Sequence, residues 1–182
     1  MKEIRSIIGI DKPLHIQVTA SDTDGMLRDA DTLLNKVDSE VYVKIPVTME
    51  GIKTIKLLKA QNIHVTGTAI YSKQQGFLAT EAGADCIAPY FNRMENMGIN
   101  SDDVIASLAE MIDLYHYNTE ILAASFKNAG QVDRAFLAGA QTATMDPSIL
   151  ETALTFSHIT SAVDAFEQDW KAIYGDKTLS DL

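Results

Sequence analysis

One lysine lies where a charged side chain is costly. Lys44 is inside the apolar run VYVKIPVT (41–48), between Val43 and Ile45. A lysine removed from water loses proton affinity, by as much as about 3–5 pKa units when fully buried, so its neutral amine becomes available near pH 7. A neutral amine is the nucleophile that forms a Schiff base with a carbonyl substrate. The alternatives are a lysine paired with a carboxylate, or one near the strand end with its ammonium group in water.

Other polar residues recur within or just after further apolar runs: Gln17, Thr68, Tyr90 with Arg93, and Ser125. Taken singly, each has an ordinary structural explanation. Thr68 would suit any strand, Ser125 could satisfy a backbone group, and Tyr90 could be a packed ring. Cys86 is predicted to be a small core residue. No metal site is predicted, because four histidines lack metal-ligand spacing and a matching acid cluster: His15, His64, His116 and His158.

The runs that carry these residues predict strands separated by helices. The predicted strands are 14–18, 40–48, 64–71, 85–91, 120–126 and 142–145. Helical spacing places Ile52, Ile55, Leu57 and Leu58 on one face, and Asn100 begins a segment typical of a helix N-terminus. Glycines 83 and 139 are typical of turns that end a helix. Strands alternating with helices indicate βαβ units and a parallel sheet.

Two α/β architectures compete, a doubly wound sheet and a (β/α) barrel. No glycine-rich phosphate loop follows any strand. Polar residues near the C-terminal ends of several strands are instead typical of TIM-type barrels, which build their active sites there. We therefore predict a single barrel domain over residues 1–182. Alternation along a strand places Val43 and Ile45 against the helices, and Lys44 inside the barrel.

Charge and composition limit the partners. The chain has 182 residues and a net charge of −10, which argues against nucleic acid or an anionic membrane as partner. A phosphorylated ligand would need a local basic pocket. The single cysteine excludes an internal disulfide and fits a reducing cytoplasm. No apolar run is long enough to span a bilayer, so a cytoplasmic location is predicted.

Three long segments resemble the transaldolase family, and in particular its fructose-6-phosphate aldolase-like subgroup. They are VYVKIPVTMEGIKTIKLLK, HVTGTAIYSKQQGFLATEAGADCIAPYFNRM and ILAASFK. The C-terminal AVDAFEQDWKAIYG fits as well. The resemblance implies a class I aldolase in a TIM-type barrel, in which the lysine of KIPVT, Lys44, forms an imine with a ketose. It implies no metal or organic cofactor.

The same resemblance implies roles for the other polar residues. Tyr90 matches the tyrosine that acts as acid and base through a positioned water, and Gln17 and Thr68 match the residues that hold this water. Arg93 and Ser125 match the phosphate-binding pair. True transaldolases resemble this pattern but tend to carry glutamate and phenylalanine in place of Gln17 and Tyr90. Aldol cleavage of fructose 6-phosphate is therefore preferred, with transaldolase as the alternative.

Six strands are predicted, whereas the family barrel has eight, so these are expected to correspond to strands 3–8. The first segment, MKEIRSIIGIDKP, resembles the end of the helix that precedes strand 3. An inactive, assembly-only subunit is the alternative from a different class of function. The resemblance also implies a pentamer or decamer, with the C-terminal helix of residues 158–182 reaching over a neighbour. Val163, Phe166 and Trp170 form an apolar stripe that could equally pack on the helix's own barrel.

Overall fold

The computed structural model describes all 182 residues and contains one parallel sheet of six strands. The strands are β1 (Leu14–Gln17), β2 (Val41–Pro46), β3 (Val65–Ile70), β4 (Cys86–Pro89), β5 (Glu120–Ala123) and β6 (Thr142–Ala143). Their order in the sheet follows their order in the chain. All six predicted strands are confirmed, and each is shorter than its apolar run.

Seven helices lie before and between these strands. They are α1 (Lys2–Ile8), α2 (Thr23–Lys36), α3 (Met49–Lys59), α4 (Lys73–Glu81), α5 (Phe91–Asn96), α6 (Ser101–Leu114) and α7 (Ala129–Leu137). The predicted start of α6 is confirmed, because Asn100 Oδ1 accepts a hydrogen bond from the amide of Asp103 at 3.1 Å. Both predicted helix-ending turns are confirmed by the left-handed φ of Gly83 (94°) and Gly139 (103°).

The apolar face predicted for α3 needs one correction. Ile55 and Leu58 are buried as predicted, whereas Leu57 is 46% exposed. Leu57 is two residues after Ile55, which places it on nearly the opposite side of a helix with 3.6 residues per turn. Only the residues spaced by three and four pack against the sheet.

The two faces of the sheet have different environments. On β2, Val41, Val43 and Ile45 are completely buried, whereas Tyr42 and Lys44 on the other face are half-buried. The predicted alternation is thus confirmed. Burying each aliphatic side chain stabilises the fold by roughly 1.5–3 kcal/mol, which fixes the face that Lys44 occupies.

The sheet curls around its polar face. Residues from the first strand to the last, including His15, Lys44 and Thr142, border one cavity of about 470 Å³. Helices α2, α3, α4 and α6 contact the strands on the opposite, convex face. A doubly wound sheet would carry helices on both faces, so that alternative is excluded. The predicted α/β class is confirmed, and the curled six-stranded parallel sheet is that of a partial TIM-type barrel.

The contacts divide the chain into two compact units, Met1–Thr144 and Met145–Leu182. The second contains α8 (Pro147–Leu154), α9 (Ser157–Tyr174) and a 3-10 turn at Leu179–Asp181. Within it, Trp170 Nε1 donates a hydrogen bond to the carbonyl of Lys177 at 2.5 Å, and its ring lies 4.4 Å from that of Tyr174. The residues after α9 are therefore held against that helix.

Candidate active site

Lys44 is an amine without a counter-ion. Strand β2 directs it to the concave face, beside Gln17 of β1 and Thr66 of β3 in the sheet register. Its side chain makes no hydrogen bond or ion pair with the protein. Desolvation lowers the pKa of Lys44 from the ordinary 10.5. Burial therefore makes the Lys44 ammonium easier to deprotonate than that of an exposed lysine, and the carboxylate partner considered from the sequence is absent.

Thr68 and Tyr90 meet at the C-terminal edge of the sheet. Thr68 lies in β3 and is completely buried, and Tyr90 immediately follows β4. Their hydroxyl oxygens are 3.0 Å apart. Thr68 is also the register partner of Pro46, two residues beyond Lys44 on β2. The phenol is therefore held by a rigid, buried hydroxyl on the side of the sheet that carries the lysine.

Arg93 lies on the short helix α5, next to the same tyrosine. Its guanidinium carbon is 4.6 Å from the centroid of the Tyr90 ring, and its Nη1 donates a hydrogen bond to the Tyr71 hydroxyl at 3.3 Å. That hydrogen bond is the main cause of a raised pKa for Arg93. The side chain is exposed, so its remaining donors are free to bind an anion.

Ser125 is brought beside α5 by backbone hydrogen bonds. It lies two residues beyond β5 and has a left-handed backbone, with φ of 64°. Its carbonyl accepts a hydrogen bond from the amide of Asn92 at 2.9 Å. Arg93 is the next residue along α5. The two residues predicted to hold phosphate thus lie on adjoining segments at the C-terminal edge of the sheet.

Gln17 is the last residue of β1 and the register partner of Lys44. Its side chain is exposed and makes no hydrogen bond with the protein. The structure therefore brings Thr68, Tyr90 and Arg93 into direct contact as a chain. It places Lys44 and Gln17 on neighbouring strands without a side-chain contact to that chain.

The concave cavity lies on the opposite side of Lys44 from these groups. It is bordered by residues near the N-terminal ends and middles of β1, β2, β4 and β5, and by β6 with the residue after it: Pro13, Leu14, His15, Tyr42, Lys44, Cys86, Glu120, Leu122, Thr142, Ala143 and Thr144. Lys44 is the one predicted site residue that borders it. Cys86 is 7% exposed, which confirms the prediction of a small core residue, and burial raises the pKa of its thiol to about 12.

His15 is a neighbour of Lys44 to which the sequence assigned no role. Burial, with a contribution from the charge of Lys44, lowers the pKa of His15 to about 4. Its Nδ1 lies 2.8 Å from Thr66 Oγ1, and its ring lies 4.7 Å from that of Tyr42. Tyr42 in turn stacks on His64 at 4.6 Å. His15 is therefore a neutral imidazole at pH 7, with a pKa well below that value.

The chain contains no group of three or more His, Cys, Asp or Glu side chains arranged to hold a metal ion. None of its helices is both long enough and apolar enough to cross a membrane.

The curled parallel sheet, with a desolvated lysine and a polar C-terminal edge, defines a protein of the (β/α)-barrel class. Residues 1–177 match the sequence model of the transaldolase/fructose-6-phosphate aldolase family. The chain is also 43% identical over 179 residues to the "Probable fructose-6-phosphate aldolase" of Streptococcus pneumoniae (strain ATCC 700669 / Spain 23F-1). That match covers 98% of this chain and 81% of the relative. The chain belongs to the transaldolase/fructose-6-phosphate aldolase family.

Proposed function

We propose that the protein is a class I aldolase that reversibly cleaves fructose 6-phosphate to dihydroxyacetone and glyceraldehyde 3-phosphate. The observation that carries the proposal is the unpaired, desolvated amine of Lys44, which faces inward from a β-strand. The family and the name of the similar streptococcal protein support the same reaction.

The proposed reaction begins when Lys44 Nζ attacks the C2 carbonyl of the ketose and water is lost, giving a protonated imine. A base then removes the proton of the C4 hydroxyl, the C3–C4 bond breaks, and its electron pair moves into the imine to give an enamine. Glyceraldehyde 3-phosphate leaves at this point. Protonation of the enamine at C3 and hydrolysis of the imine release dihydroxyacetone and restore the amine.

Tyr90 is the proposed acid and base, acting through a water held by Thr68 and Gln17. The 3.0 Å contact between Thr68 Oγ1 and the phenol supports this role, because it fixes the direction in which the hydroxyl can exchange a proton. Arg93 and Ser125 are the proposed phosphate-binding pair. An exposed guanidinium on a segment tied to the Ser125 carbonyl supports that assignment.

Transaldolase is the second candidate, because the matched family includes both activities. It would transfer the dihydroxyacetone unit between sugar phosphates, as in the pentose phosphate pathway, rather than release it. The two reactions differ in whether an acceptor aldehyde is required. We expect dihydroxyacetone to be released from fructose 6-phosphate alone. Turnover only in the presence of erythrose 4-phosphate would instead establish a transaldolase.

The imine is tested directly by borohydride reduction. The protein is incubated with fructose 6-phosphate or dihydroxyacetone, reduced, digested, and the peptide that contains Lys44 is weighed. We expect a sugar-dependent adduct on Lys44 and none in a Lys44→Met variant. Folded protein that gives no adduct would contradict the proposal and leave an inactive, assembly-only subunit as the better explanation.

A homo-oligomer and a cytoplasmic location are parts of the same proposal. Within the second unit, α9 exposes the apolar side chains of Val163 (55%) and Phe166 (71%) in the single chain. These exposed side chains support a pentamer or decamer in which α9 contacts a neighbouring subunit. Light scattering of the purified protein tests the mass, and cell fractionation tests the location.

A further inference from the structure

Two glutamines outside the site described above occupy equivalent places in the fold. Gln75 lies three residues after Ser72, the residue that caps α4, and Gln131 lies three residues after Asn128, which caps α7. The backbone amide of each glutamine donates a hydrogen bond to the side chain of its cap residue, at 3.3 Å for Gln75 and 2.9 Å for Gln131. The two helices therefore begin in the same way.

Each glutamine side chain also turns back to the residue before its cap. The Oε1 of Gln75 accepts a hydrogen bond from the amide of Tyr71 at 2.9 Å, and the Oε1 of Gln131 accepts one from the amide of Lys127 at 2.8 Å. The reciprocal bonds resemble a capping box, although here the glutamine reaches one residue further back. Both hydrogens of each side-chain nitrogen remain available for groups outside the helix.

Gln75 uses these hydrogens to join β2 to β3. Its Nε2 donates to the carbonyl of Val47 at 3.0 Å and to the carbonyl of Ala69 at 3.2 Å. Val47 lies three residues beyond Lys44, and Ala69 is the residue after Thr68. The Val47 amide also donates to the Thr68 carbonyl at 2.9 Å. The strand ends that carry the lysine and the threonine are thus joined through one side chain.

The bond to Ala69 acts on a strained position. Ala69 has a left-handed backbone with φ of 56°, and the pairing of β3 with β4 shifts register between Gly67 and Ile70. A non-glycine residue in this conformation is unfavourable and persists only where its surroundings hold it. Holding the Ala69 carbonyl stabilises this irregularity, which immediately follows Thr68, the residue that contacts Tyr90.

Gln131 makes the corresponding connection at the other side of the site. It is 6% exposed, and its Nε2 donates to Asn92 Oδ1 at 3.1 Å and to Glu95 Oε2 at 2.5 Å. Asn92 and Glu95 flank Arg93 on α5. Ser125, which also has a left-handed backbone, lies three residues before the cap of α7, as Ala69 does before the cap of α4. Gln131 therefore joins the Ser125 segment to the Arg93 segment.

We propose that Gln75 and Gln131 are positioning residues that control separate halves of the site. Gln75 sets the geometry of Lys44, Thr68 and Tyr90, which make and break bonds, whereas Gln131 sets the geometry of Arg93 and Ser125, which hold the phosphate. The assignment rests on the proposed aldolase function. Both glutamines act through other residues.

Two charge-introducing variants of nearly unchanged shape test this separation. Gln75→Glu places a carboxylate against the carbonyls of Val47 and Ala69, and Gln131→Glu places one against the carboxylate of Glu95. We expect Gln75→Glu to lower kcat at least about tenfold with little change in KM for fructose 6-phosphate, because small displacements of reacting groups have large effects on rate. Gln131→Glu should raise KM at least about tenfold with little change in kcat.

The chain offers a matched control in Gln74→Glu. Gln74 is the neighbour of Gln75 on α4, and its exposed side chain makes no hydrogen bond with the protein. This variant should retain the kcat and KM of the original protein. If Gln131→Glu does not fold, Gln131→Met removes the donor without adding a charge. If both glutamine variants instead change kcat and KM in the same pattern, the two residues have a merely structural role and the proposal is overturned.

Hydrogen exchange followed by mass spectrometry provides a readout independent of activity. Gln75→Glu should accelerate exchange at residues 45–48 and 67–72 only, and Gln131→Glu at residues 91–95 and 123–128 only. If the original protein neither turns over sugar nor labels at Lys44, the proposed function fails. The claim that each glutamine holds two segments together is then judged by hydrogen exchange alone. Faster exchange confined to these segments supports the claim, and faster exchange throughout the protein overturns it.

Discussion

Thr68 Oγ1 lies 3.0 Å from the hydroxyl oxygen of Tyr90, and the two residues are 22 positions apart in the chain. Thr68 is completely buried and has a β-branched side chain, so its hydroxyl has few alternative orientations. One hydrogen bond to this fixed group orients the phenol and leaves it able to bond to a water or a substrate hydroxyl. The hydroxyl of Tyr90, the proposed acid and base, is therefore oriented before a substrate binds.

Replacing Tyr90 by phenylalanine should remove that group while keeping the ring that contacts Arg93. We expect kcat for fructose 6-phosphate cleavage to fall about 10²–10⁴-fold, the usual contribution of a positioned acid or base. Labelling of Lys44 by borohydride should persist, because imine formation uses a different side chain. Tyr115→Phe, at an exposed residue, is the control. Unchanged kcat in Tyr90→Phe would remove tyrosine from the mechanism.

The pH dependence of the reaction should reflect the lowered pKa of Lys44. Only the neutral amine attacks, so kcat/KM should rise with pH through the pKa of Lys44, which lies below 10.5. Gln17→Glu places a carboxylate beside Lys44, favours the ammonium form, and should move this rise to higher pH by about one unit. Gln17→Met is the uncharged control. A rise that moves to lower pH would contradict the assignment.

Arg93→Met should weaken phosphate binding more than it slows chemistry. We expect KM for fructose 6-phosphate to rise about 10–100-fold, because a charge-assisted hydrogen bond to phosphate is lost. The reverse addition of dihydroxyacetone to an unphosphorylated aldehyde should be affected much less. Kinetics with phosphorylated and unphosphorylated aldehydes measure the difference. An equal loss with both aldehydes would show that Arg93 acts instead through its contact with Tyr90.

His15 should make the protein sensitive to mild acid. The unfolded chain binds a proton on His15 below about pH 6.5, whereas the pKa of His15 in the folded protein is about 4. The extra proton stabilises the unfolded state, so the free energy of unfolding should fall as pH decreases from 6.5 to 4. After allowance for the partly exposed ring, this contribution is about 1–2 kcal/mol.

The comparison of urea unfolding at pH 4.5 and pH 7 checks this expectation. His15→Phe should lose less stability on acidification than the original protein, while His158→Phe, at an exposed position in the second unit, should behave like the original. An identical loss in His15→Phe and the original protein would show that other groups cause the acid sensitivity.

The period-two alternation of β2 is sufficient to predict which face Lys44 occupies. The branched side chains on the other face must pack against the helices: Val41, Val43, Ile45 and Val47. The position of Tyr90 was harder, since it lies beyond the end of β4 and has no strand periodicity. Directly after its partner Thr68, the pairing of β3 with β4 shifts register and Ala69 adopts a backbone usual for glycine. No residue type in GTAIY (67–71) indicates a left-handed backbone at Ala69, so local propensity cannot predict it.

The roles proposed for Gln75 and Gln131 have a partial signal in the sequence. Serine or asparagine followed three positions later by glutamine is the spacing of a reciprocal helix cap, and it occurs at Ser72 and Asn128. What the pattern could not provide is the partner of the free amide nitrogen. Val47 and Asn92 become partners only when neighbouring strands and helices pack together.

The agreement between strand order and chain order has a consequence for how the molecule acquires its structure. Paired residues such as Thr66 with Cys86, or Leu14 with Val41, are separated by little more than one intervening helix. Each pairing therefore closes a short loop, and the entropy lost on closure is modest. Folding can begin at any adjacent pair of strands and spread outward in both directions, as in repeat proteins. The polar C-terminal edge of the sheet is therefore complete only after several strands and their helices have packed together.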